Sequence, residues 1–415
     1  MISAKRPFPL AWRTRRVLAL LVVLLGIGAA RARTFRALYS FKGPPDGYDP
    51  SPGLVRDSAG NIYGTTASGG AYNFYGTVFK IDKRGNETVL HSFCSGGWPC
   101  SDGAYPDGGL VRGRDGYLYG TTQVGGYPNC SYGYGCGTIF KIDREGNFSV
   151  LYRFGGLPDG SFPVSTLVLD DQQNLYGTTE YGGDSHCDVS GGCGTVFKVD
   201  KNGKETILHA FHGATQMDGA IPWAGLVWSH AGRLIGTTPA GGSPGCDGWM
   251  DNGCGIVFRV NKVGRETVLY RFSPSGTTGM RPFYPVTLDN AGNIYSTAQG
   301  VAFRLNRRGQ VKILCNFFPT EDGIPSDGMA WGGKGALYGT TFEGGVDYSG
   351  TVYRLDRAGK KTILYNFTGF SDGDYPLGKL VIDGDGNLYG VTADGGITNT
   401  RYCRDGCGVV FRIAP

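Results

Sequence analysis

Acidic residues recur at one place in a sequence pattern that this chain repeats along its length. Asp-Gly, followed within a few residues by proline, appears six times at a period of about 55 residues. The six aspartates are Asp46, Asp102, Asp159, Asp218, Asp322 and Asp372. A ring of carboxylates could bind a hard cation such as Ca²⁺, or a polyhydroxylated ligand. The alternative is an Asx turn in which each aspartate holds its own loop, and recurrence in nearly every repeat favours this structural role.

The long connections of the repeat also carry aromatic side chains. Three of them are tryptophans, Trp98, Trp223 and Trp249. Rings exposed on stiff loops offer a large contact area at little cost in conformational entropy, which suits stacking on sugar faces or contact with a protein partner. The alternative is that the rings pack between neighbouring repeats, because aromatic residues are commonly buried. Both interpretations stay open.

Ten of the eleven cysteines form five closely spaced pairs. The pairs are Cys94 and Cys100, Cys130 and Cys136, Cys187 and Cys193, Cys246 and Cys254, and Cys403 and Cys407. The C-x-x-C spacing and companion histidines of a zinc site are missing, so the spacing predicts disulfides in an exported protein and no metal site. Cys315 stands in a predicted strand where other repeats have Tyr or His, and we expect a buried, inert thiol.

No catalytic constellation can be assigned to the chain. Of its five histidines, His91 and His209 stand where equivalent strands have Tyr, and we expect both to be structural. No Ser, His and acid set can be grouped into a catalytic triad. Paired carboxylates alone can perform glycoside chemistry. A carbohydrate-active or lactone-type enzyme that uses carboxylates in a central funnel is therefore the alternative to a non-catalytic binding protein.

Four short β-signals in every repeat must position these residues. In one repeat they are Thr166-Leu-Val168, Leu175-Tyr-Gly-Thr-Thr, Val196-Phe-Lys-Val-Asp200 and Leu208 to Phe211. Glycine inside the second strand predicts the close approach of a neighbouring backbone. Short turns follow the first and third strands, whereas long and variable connections follow the second and fourth. In an up-and-down arrangement both long sets lie on one face, where we expect function.

Four antiparallel strands repeated seven times predict an all-β fold, a seven-bladed β-propeller over residues 33–415. The domain opens with a fourth-type strand, Phe35 to Phe41, and ends with a third-type strand, Val409 to Ile413. Pairing of these two strands in one blade would close the ring. The fifth repeat departs from the others, because its second strand reads Ile294-Tyr-Ser-Thr-Ala and it lacks both the Asp-Gly and a cysteine pair.

Residues 1–32 have the layout of a secretory signal peptide. Five basic residues precede an apolar run of 14 residues, Val17 to Ala30, and Ala30-Arg-Ala32 offers a cleavage site. The run is shorter than the roughly 20 residues that span a bilayer as a helix, so no transmembrane segment is expected after cleavage. The pair Arg15-Arg16 leaves the general and the twin-arginine export routes open. The sequence therefore predicts a secreted, periplasmic or cell-surface protein.

The charge balance excludes one class of partner. Cleavage after Ala32 would remove six of the 40 basic residues and none of the 35 acidic ones. The remaining chain is near neutral and lacks the basic surface that is typical of nucleic-acid binding.

The repeats resemble the GloVer (Gloeobacter/Verrucomicrobia-type) tandem-repeat family of exported bacterial proteins. The likeness lies in the Gly-Asn-Leu-Tyr-Gly-Thr-Thr, Gly-Gly and Gly-Thr-Val-Phe-Lys pieces and covers almost all of residues 34–415. It implies a secreted or cell-surface propeller and no defined activity. We expect a monomeric, non-catalytic module that binds an extracellular glycan or protein on the long-loop face, with Ca²⁺ as the one cofactor to consider.

Overall fold

The computed structural model describes residues 34–415 except 73, 131–132, 247–252, 275–278, 319–322, 333–334 and 399–400. Its regular structure is almost entirely antiparallel sheet, and seven sheets of four or five strands form the blades of a propeller. The predicted seven-bladed β-propeller is confirmed. The signal peptide predicted for residues 1–32 lies outside the described residues. Among the described residues, no helix has the length and hydropathy needed to span a bilayer.

Blades are numbered 1 to 7 in chain order, and their strands run from the first at the centre to the fourth at the rim. The first strands of blades 1 to 6 are Val55–Arg56, Val111–Arg112, Val168–Leu169, Val227–Trp228, Thr287–Leu288 and Ala330–Trp331. The second strands are Ile62–Gly69, Leu118–Thr122, Leu175–Thr179, Leu234–Thr238, Ile294–Ala298 and Leu337–Thr341.

In blades 1 to 6 the two outer strands are longer than the first strand. The third strands are Thr77–Ile81, Thr138–Ile142, Thr195–Val199, Ile256–Val260, Val301–Leu305 and Thr351–Leu355. The fourth strands are Glu87–Ser92, Phe148–Arg153, Glu205–Ala210, Glu266–Arg271, Val311–Asn316 and Lys361–Asn366. Short strands in the long connections are Gly47–Pro50, Gly160–Ser161, Tyr181–Gly182, Gly219–Ala220 and Ala240–Gly241.

Blade 7 closes the ring with strands from both ends of the domain. Its strands are Asp374–Ile382, Leu388–Asp394, Val409–Ile413 and, from the N-terminal side, Phe35–Ser40. Phe35 pairs with Ile413 in antiparallel register. The Phe35 ring also stacks on Tyr365 of blade 6, with ring centroids 4.4 Å apart. The predicted closure through the two chain ends is therefore confirmed.

The first strands of blades 1 to 4 begin two residues later than the sequence predicts, whereas that of blade 7 begins earlier, at Asp374. In blade 3 the strand is Val168–Leu169 rather than Thr166 to Val168. The residues before it bond to neighbouring blades instead of their own, because Thr166 Oγ1 accepts the N–H of Gly109 in blade 2 at 3.1 Å. These inner segments therefore join the blades to one another at the axis.

An edge-to-face aromatic pair stabilises each of the seven junctions between blades. The phenylalanine after a fourth strand meets the aromatic residue of the next blade's third strand, with centroids between 5.0 and 5.5 Å apart. The pairs are Phe41–Phe79, Phe93–Phe140, Phe154–Phe197, Phe211–Phe258, Phe272–Phe303, Phe317–Tyr353 and Phe367–Phe411. Such pairs contribute roughly 0.5–1.5 kcal/mol each beyond the area they bury. The recurring phenylalanines are therefore core residues.

The repeated Leu-Tyr-Gly-Thr-Thr strand is explained by contacts within one blade. The Tyr176 hydroxyl donates a hydrogen bond to Asp170 Oδ2 at 3.0 Å and so stabilises the turn between the first and second strands. A Cβ on Gly177 would lie 2.6 Å from Phe197 Cζ. The expected close approach of a backbone is thus wrong, because the glycine makes room for a phenylalanine ring.

The five predicted cysteine pairs all form disulfide bonds. Four of them, all except Cys94–Cys100, lie in connections after second strands. Each closes a small loop on the long-loop face and so restricts its conformations. Cys315 lies outside these pairs and is half-buried in the fourth strand of blade 5.

Candidate functional site

The centre of the ring holds a cavity of about 500 Å³. All seven blades line it, through the residues that precede or enter their first strands. These residues are 52–54, 107–110, 164–166, 168, 223–227, 283–285, 326–327 and 379–381. Since first strands run from the long-loop face to the short-turn face, the cavity occupies the long-loop end of the central channel. We call it the central cavity.

A proline precedes these lining residues in every blade, at the end of the long connection in blades 1 to 6 and inside the first strand, as Pro376, in blade 7. Pro163 packs on the neighbouring blade, where a Cβ on Gly137 would lie 2.5 Å from Pro163 Cδ. Gly137 also has a φ of 93°, which favours glycine. The backbone after each proline is therefore similar from blade to blade, but the residue that directly follows the proline varies. They are Ser51, Asp107, Val164, Trp223, Phe283, Ser326 and Leu377.

Aromatic side chains form one wall of the central cavity. Trp223 of blade 4 and Phe283 of blade 5 are tilted against each other, with centroids 5.6 Å apart, and Tyr284 lines the cavity beside them. Trp223 and Phe283 are half-buried, so part of each ring is accessible from the cavity. This wall offers an aromatic surface of the kind that stacks on a ring-shaped ligand.

The Asp107 carboxyl lies on another side of the cavity. Burial, followed by the charges of Asp49 and Glu180, raises the pKa of Asp107 to about 7. Burial also raises the pKa of Glu180, although hydrogen bonds from the side chains of Trp223 and Tyr181 oppose this shift. Asp107 can therefore be protonated or ionised near neutral pH, so it can donate or accept a hydrogen bond in the cavity.

A half-buried cation, Lys379, lies on the remaining side of the channel. Lys379 Nζ is 3.4 Å from Thr287 Oγ1, and burial lowers the Lys379 pKa while Asp327 opposes that shift. Burial raises the pKa of Asp327 to about 6, against the backbone N–H of Gly328 and the charge of Lys379. Burial, followed by the Asp327 charge, raises the pKa of Tyr284 to about 12.

The predicted carboxylate ring lies elsewhere. Asp46, Asp102, Asp159, Asp218 and Asp372 follow fourth strands, and none of these five lines the central cavity. Asp322 lies outside the described residues. The described carboxylates do not converge, because each is held by its own loop and by the strand before it. Asp159, for example, accepts the hydroxyl of Tyr152 at 2.9 Å and the N–H groups of Gly155 and Gly160 at 2.8 and 2.6 Å.

The three predicted tryptophans have separate outcomes. Trp223 lines the central cavity. Trp98 is 45% exposed in a cluster with Tyr75 and Tyr134, whose ring centroids are 6.0 and 5.7 Å from it. We call these three rings the outer aromatic cluster. Trp249 lies outside the described residues.

Sequence reasoning missed the polar residues of the cavity, namely Asp107, Asp327 and Lys379. A signal was present, because Lys379 stands where four repeats have glycine before Leu-Val or Met-Ala. This signal can be interpreted only when the residues that face the axis are known, and these are defined by closure of the ring.

Fold and cavity together define a seven-bladed β-propeller with a mixed aromatic and charged site at its axis. Residues 28–190 and 296–415 match the Gloeobacter/Verrucomicrobia repeat, so the chain belongs to this repeat family, as its motifs suggest. Among curated proteins, none matches the chain.

Solved structures share the fold at low sequence identity. Virginiamycin B lyase from Staphylococcus aureus is 13% identical with a TM-score of 0.60, over 92% of this chain and 99% of that one. The extracellular domain of a hybrid two-component system from B. thetaiotaomicron is 14% identical with a TM-score of 0.54, over 92% of this chain and 42% of that one. At such identities the likeness shows the fold alone.

Proposed function

We propose that this chain is an exported, non-catalytic binding protein that takes a saccharide into the long-loop end of its central channel. The observation that carries the proposal is the central cavity, where the Trp223 and Phe283 rings face the Asp107 carboxyl. A concave, mostly apolar site with a few convergent polar groups is the usual form of a small-ligand site.

Saccharide chemistry matches both kinds of wall. The C–H faces of a pyranose are apolar enough to stack on Trp223 and Phe283, while its hydroxyls need acceptors and donors at the edge. Asp107 and Asp327 supply carboxyl groups, and Lys379 supplies an ammonium. A cavity of about 500 Å³ suits one or two sugar rings better than a protein surface.

Export is part of the proposal. The predicted signal peptide and the five disulfides both support a location outside the cytoplasm. Disulfide-closed connections would also hold the long-loop face in shape around the cavity mouth.

A glycan array tests the proposal with two matched tryptophan variants. Trp223→Ala removes the largest ring of the cavity, whereas Trp98→Ala removes one from the outer aromatic cluster and leaves the cavity unchanged. We expect the array hits of the wild type to weaken at least tenfold for Trp223→Ala and to persist for Trp98→Ala. The reverse pattern would move binding to the outer aromatic cluster, and equal binding by both variants would remove these rings from the account.

An enzyme is the second candidate, and one observation favours it. A carboxyl with its pKa near 7, as burial gives Asp107, can donate a proton to a leaving group at neutral pH. Turnover of a bound saccharide or a lactone by the wild type, and its loss in Asp107→Asn with binding retained, would establish catalysis. Binding without turnover would support the non-catalytic proposal.

A further inference from the structure

Three of the five histidines of the chain lie close together at the rim of blade 3. His186 belongs to the disulfide-closed connection after the second strand of the blade. His209 lies in its fourth strand, and His212 begins the connection that follows. The central cavity involves none of these residues, so they form a separate cluster.

Two imidazoles converge on one carboxylate in this cluster. His209 Nε2 and His212 Nδ1 each lie 3.1 Å from Asp218 Oδ2. The three atoms all lie within 4.8 Å of one another. Ligand atoms bound tetrahedrally to Zn²⁺ at about 2.1 Å are roughly 3.3 Å apart, so a small relaxation would admit an ion. His209 and Asp218 are 15% and 12% exposed, whereas His212 is 37% exposed and leaves the cluster open to solvent.

The other blades show which part of this cluster is scaffold. Asp159 and Asp372 accept a tyrosine hydroxyl at the corresponding place, and Asp102 pairs with His91 at 3.1 Å. A His–Asp pair at this position is therefore structural by itself. Blade 3 alone adds a second histidine after the phenylalanine, where blade 1 has the disulfide-bonded Cys94.

A second carboxylate orients the added histidine. Asp184 Oδ2 lies 3.6 Å from His212 Nε2, on the opposite edge of the ring from Asp218. If His212 Nδ1 binds a metal, His212 Nε2 carries the proton. The Asp184 carboxylate lies beside Nε2 and attracts this N–H group. Carboxylate–histidine–metal arrangements of this kind fix the tautomer and raise the basicity of the ligand.

Contacts away from the three ligand atoms hold the two loops together. Asp188 accepts the N–H and the hydroxyl of Thr215 at 3.1 and 2.8 Å, which joins the connection after the second strand to the one after the fourth. The Cys187–Cys193 disulfide closes the first of these loops. The arrangement is therefore held before any ion binds, which reduces the conformational cost of binding.

We propose that His209, His212 and Asp218 bind a divalent transition-metal ion, with Zn²⁺ the best match, and that Asp184 positions His212 for it. Two imidazole nitrogens and one carboxylate oxygen suit Zn²⁺ and leave one tetrahedral position for water or another ligand. The ion would join two loops of the long-loop face at the rim.

Calorimetric titration of the disulfide-bonded protein with Zn²⁺, in buffer free of chelators, tests the site. We expect one ion to bind per chain and to raise the Tm. His212→Ala should weaken binding at least tenfold, and Asp184→Asn should weaken it by roughly 10- to 100-fold. His91→Ala is the matched control, because it removes the structural histidine of blade 1, and it should bind Zn²⁺ as the wild type does.

Folding of the variants is checked by circular dichroism and by the Tm without metal. His212 is half-exposed, so its alanine variant should keep both. Co²⁺ supplies a second readout, since a four-coordinate nitrogen and oxygen site gives visible absorption that His212→Ala should lose. Absence of Zn²⁺ binding by the wild type, or equal binding by His212→Ala, would overturn the proposal.

Discussion

Lys379 of blade 7 places its ammonium nitrogen 3.4 Å from Thr287 Oγ1 of blade 5, so one side chain reaches past the inner edge of blade 6. Asp327 of blade 6 lies close enough to oppose the effect of burial on the Lys379 pKa. Three successive blades therefore meet through polar groups at the axis, where most of the ring is apolar.

This relationship predicts energetic coupling between Lys379 and Asp327. Lys379→Met should lower the free energy of unfolding by about 1 to 2 kcal/mol, because it removes the cation that favours ionised Asp327. Asp327→Asn should also destabilise the protein, and the double variant should lose less than the two single losses combined. Urea denaturation of the four proteins measures the coupling. Additive losses would show that the two groups act independently.

The Asp-Gly residues should behave as loop anchors. Asp159→Ala removes the acceptor for Tyr152, Gly155 and Gly160, and should lower the free energy of unfolding by about 2 to 3 kcal/mol. Thermal unfolding with and without Ca²⁺ separates anchoring from ion binding. We expect the Tm of both proteins to be insensitive to Ca²⁺. A Ca²⁺-dependent rise in the wild-type Tm that is lost in Asp159→Ala would instead support cation binding by this aspartate.

A glutamate on a fourth strand should make stability depend on pH. Burial, followed by the charge of the Asp159 carboxylate, raises the pKa of Glu205 to about 7. Tyr152 also faces these two carboxyl groups. The unfolded chain loses this proton near pH 4.3, so between about pH 4.3 and 7 the folded state binds more protons. The stability from this proton is complete below that window and is lost as pH rises through it.

Glu205→Gln removes this dependence. The variant should match the wild type near pH 4.5 and be more stable by about 1 kcal/mol at pH 8, after allowance for solvent screening of a half-buried group. Denaturant midpoints across this range supply the measurement. A difference between the two proteins that is constant from pH 4.5 to 8 would contradict the assignment.

The disulfides make a prediction about covalent chemistry and stability. Denatured, unreduced protein should take up one alkyl group, at Cys315, and all eleven cysteines should react after reduction. Removing one bridge in the Cys130→Ser, Cys136→Ser double variant should lower the free energy of unfolding by about 2 kcal/mol. Mass spectrometry and urea denaturation test the two statements. Alkylation at any of the ten paired cysteines before reduction would disprove the pairing.

The fold could be predicted because each repeat carries its own strand and turn motifs. Phe154 and Phe197, for instance, belong to two recurring motifs, and the corresponding aromatic residues meet at every junction between blades. The start of the first strand could not be predicted, because residues such as Thr166 bond to another blade and not to their own.

The candidate site was only partly visible in the sequence. The ring type of Trp223 makes it a candidate, but nothing in the sequence separates it from Trp98, which lies in the outer aromatic cluster. Asp107 and Lys379 occur once each at positions that other repeats fill with small or apolar residues. Their convergence requires the ring to close, which is a long-range property of all seven blades.

The most direct test of the central claim is a crystal structure of the protein with a saccharide identified on the array. We predict that one sugar ring stacks on Trp223 and Phe283 inside the central cavity, with a hydroxyl within hydrogen-bond distance of the Asp107 carboxyl. A sugar bound instead to Tyr75, Trp98 and Tyr134, with the central cavity containing only solvent, would contradict the account.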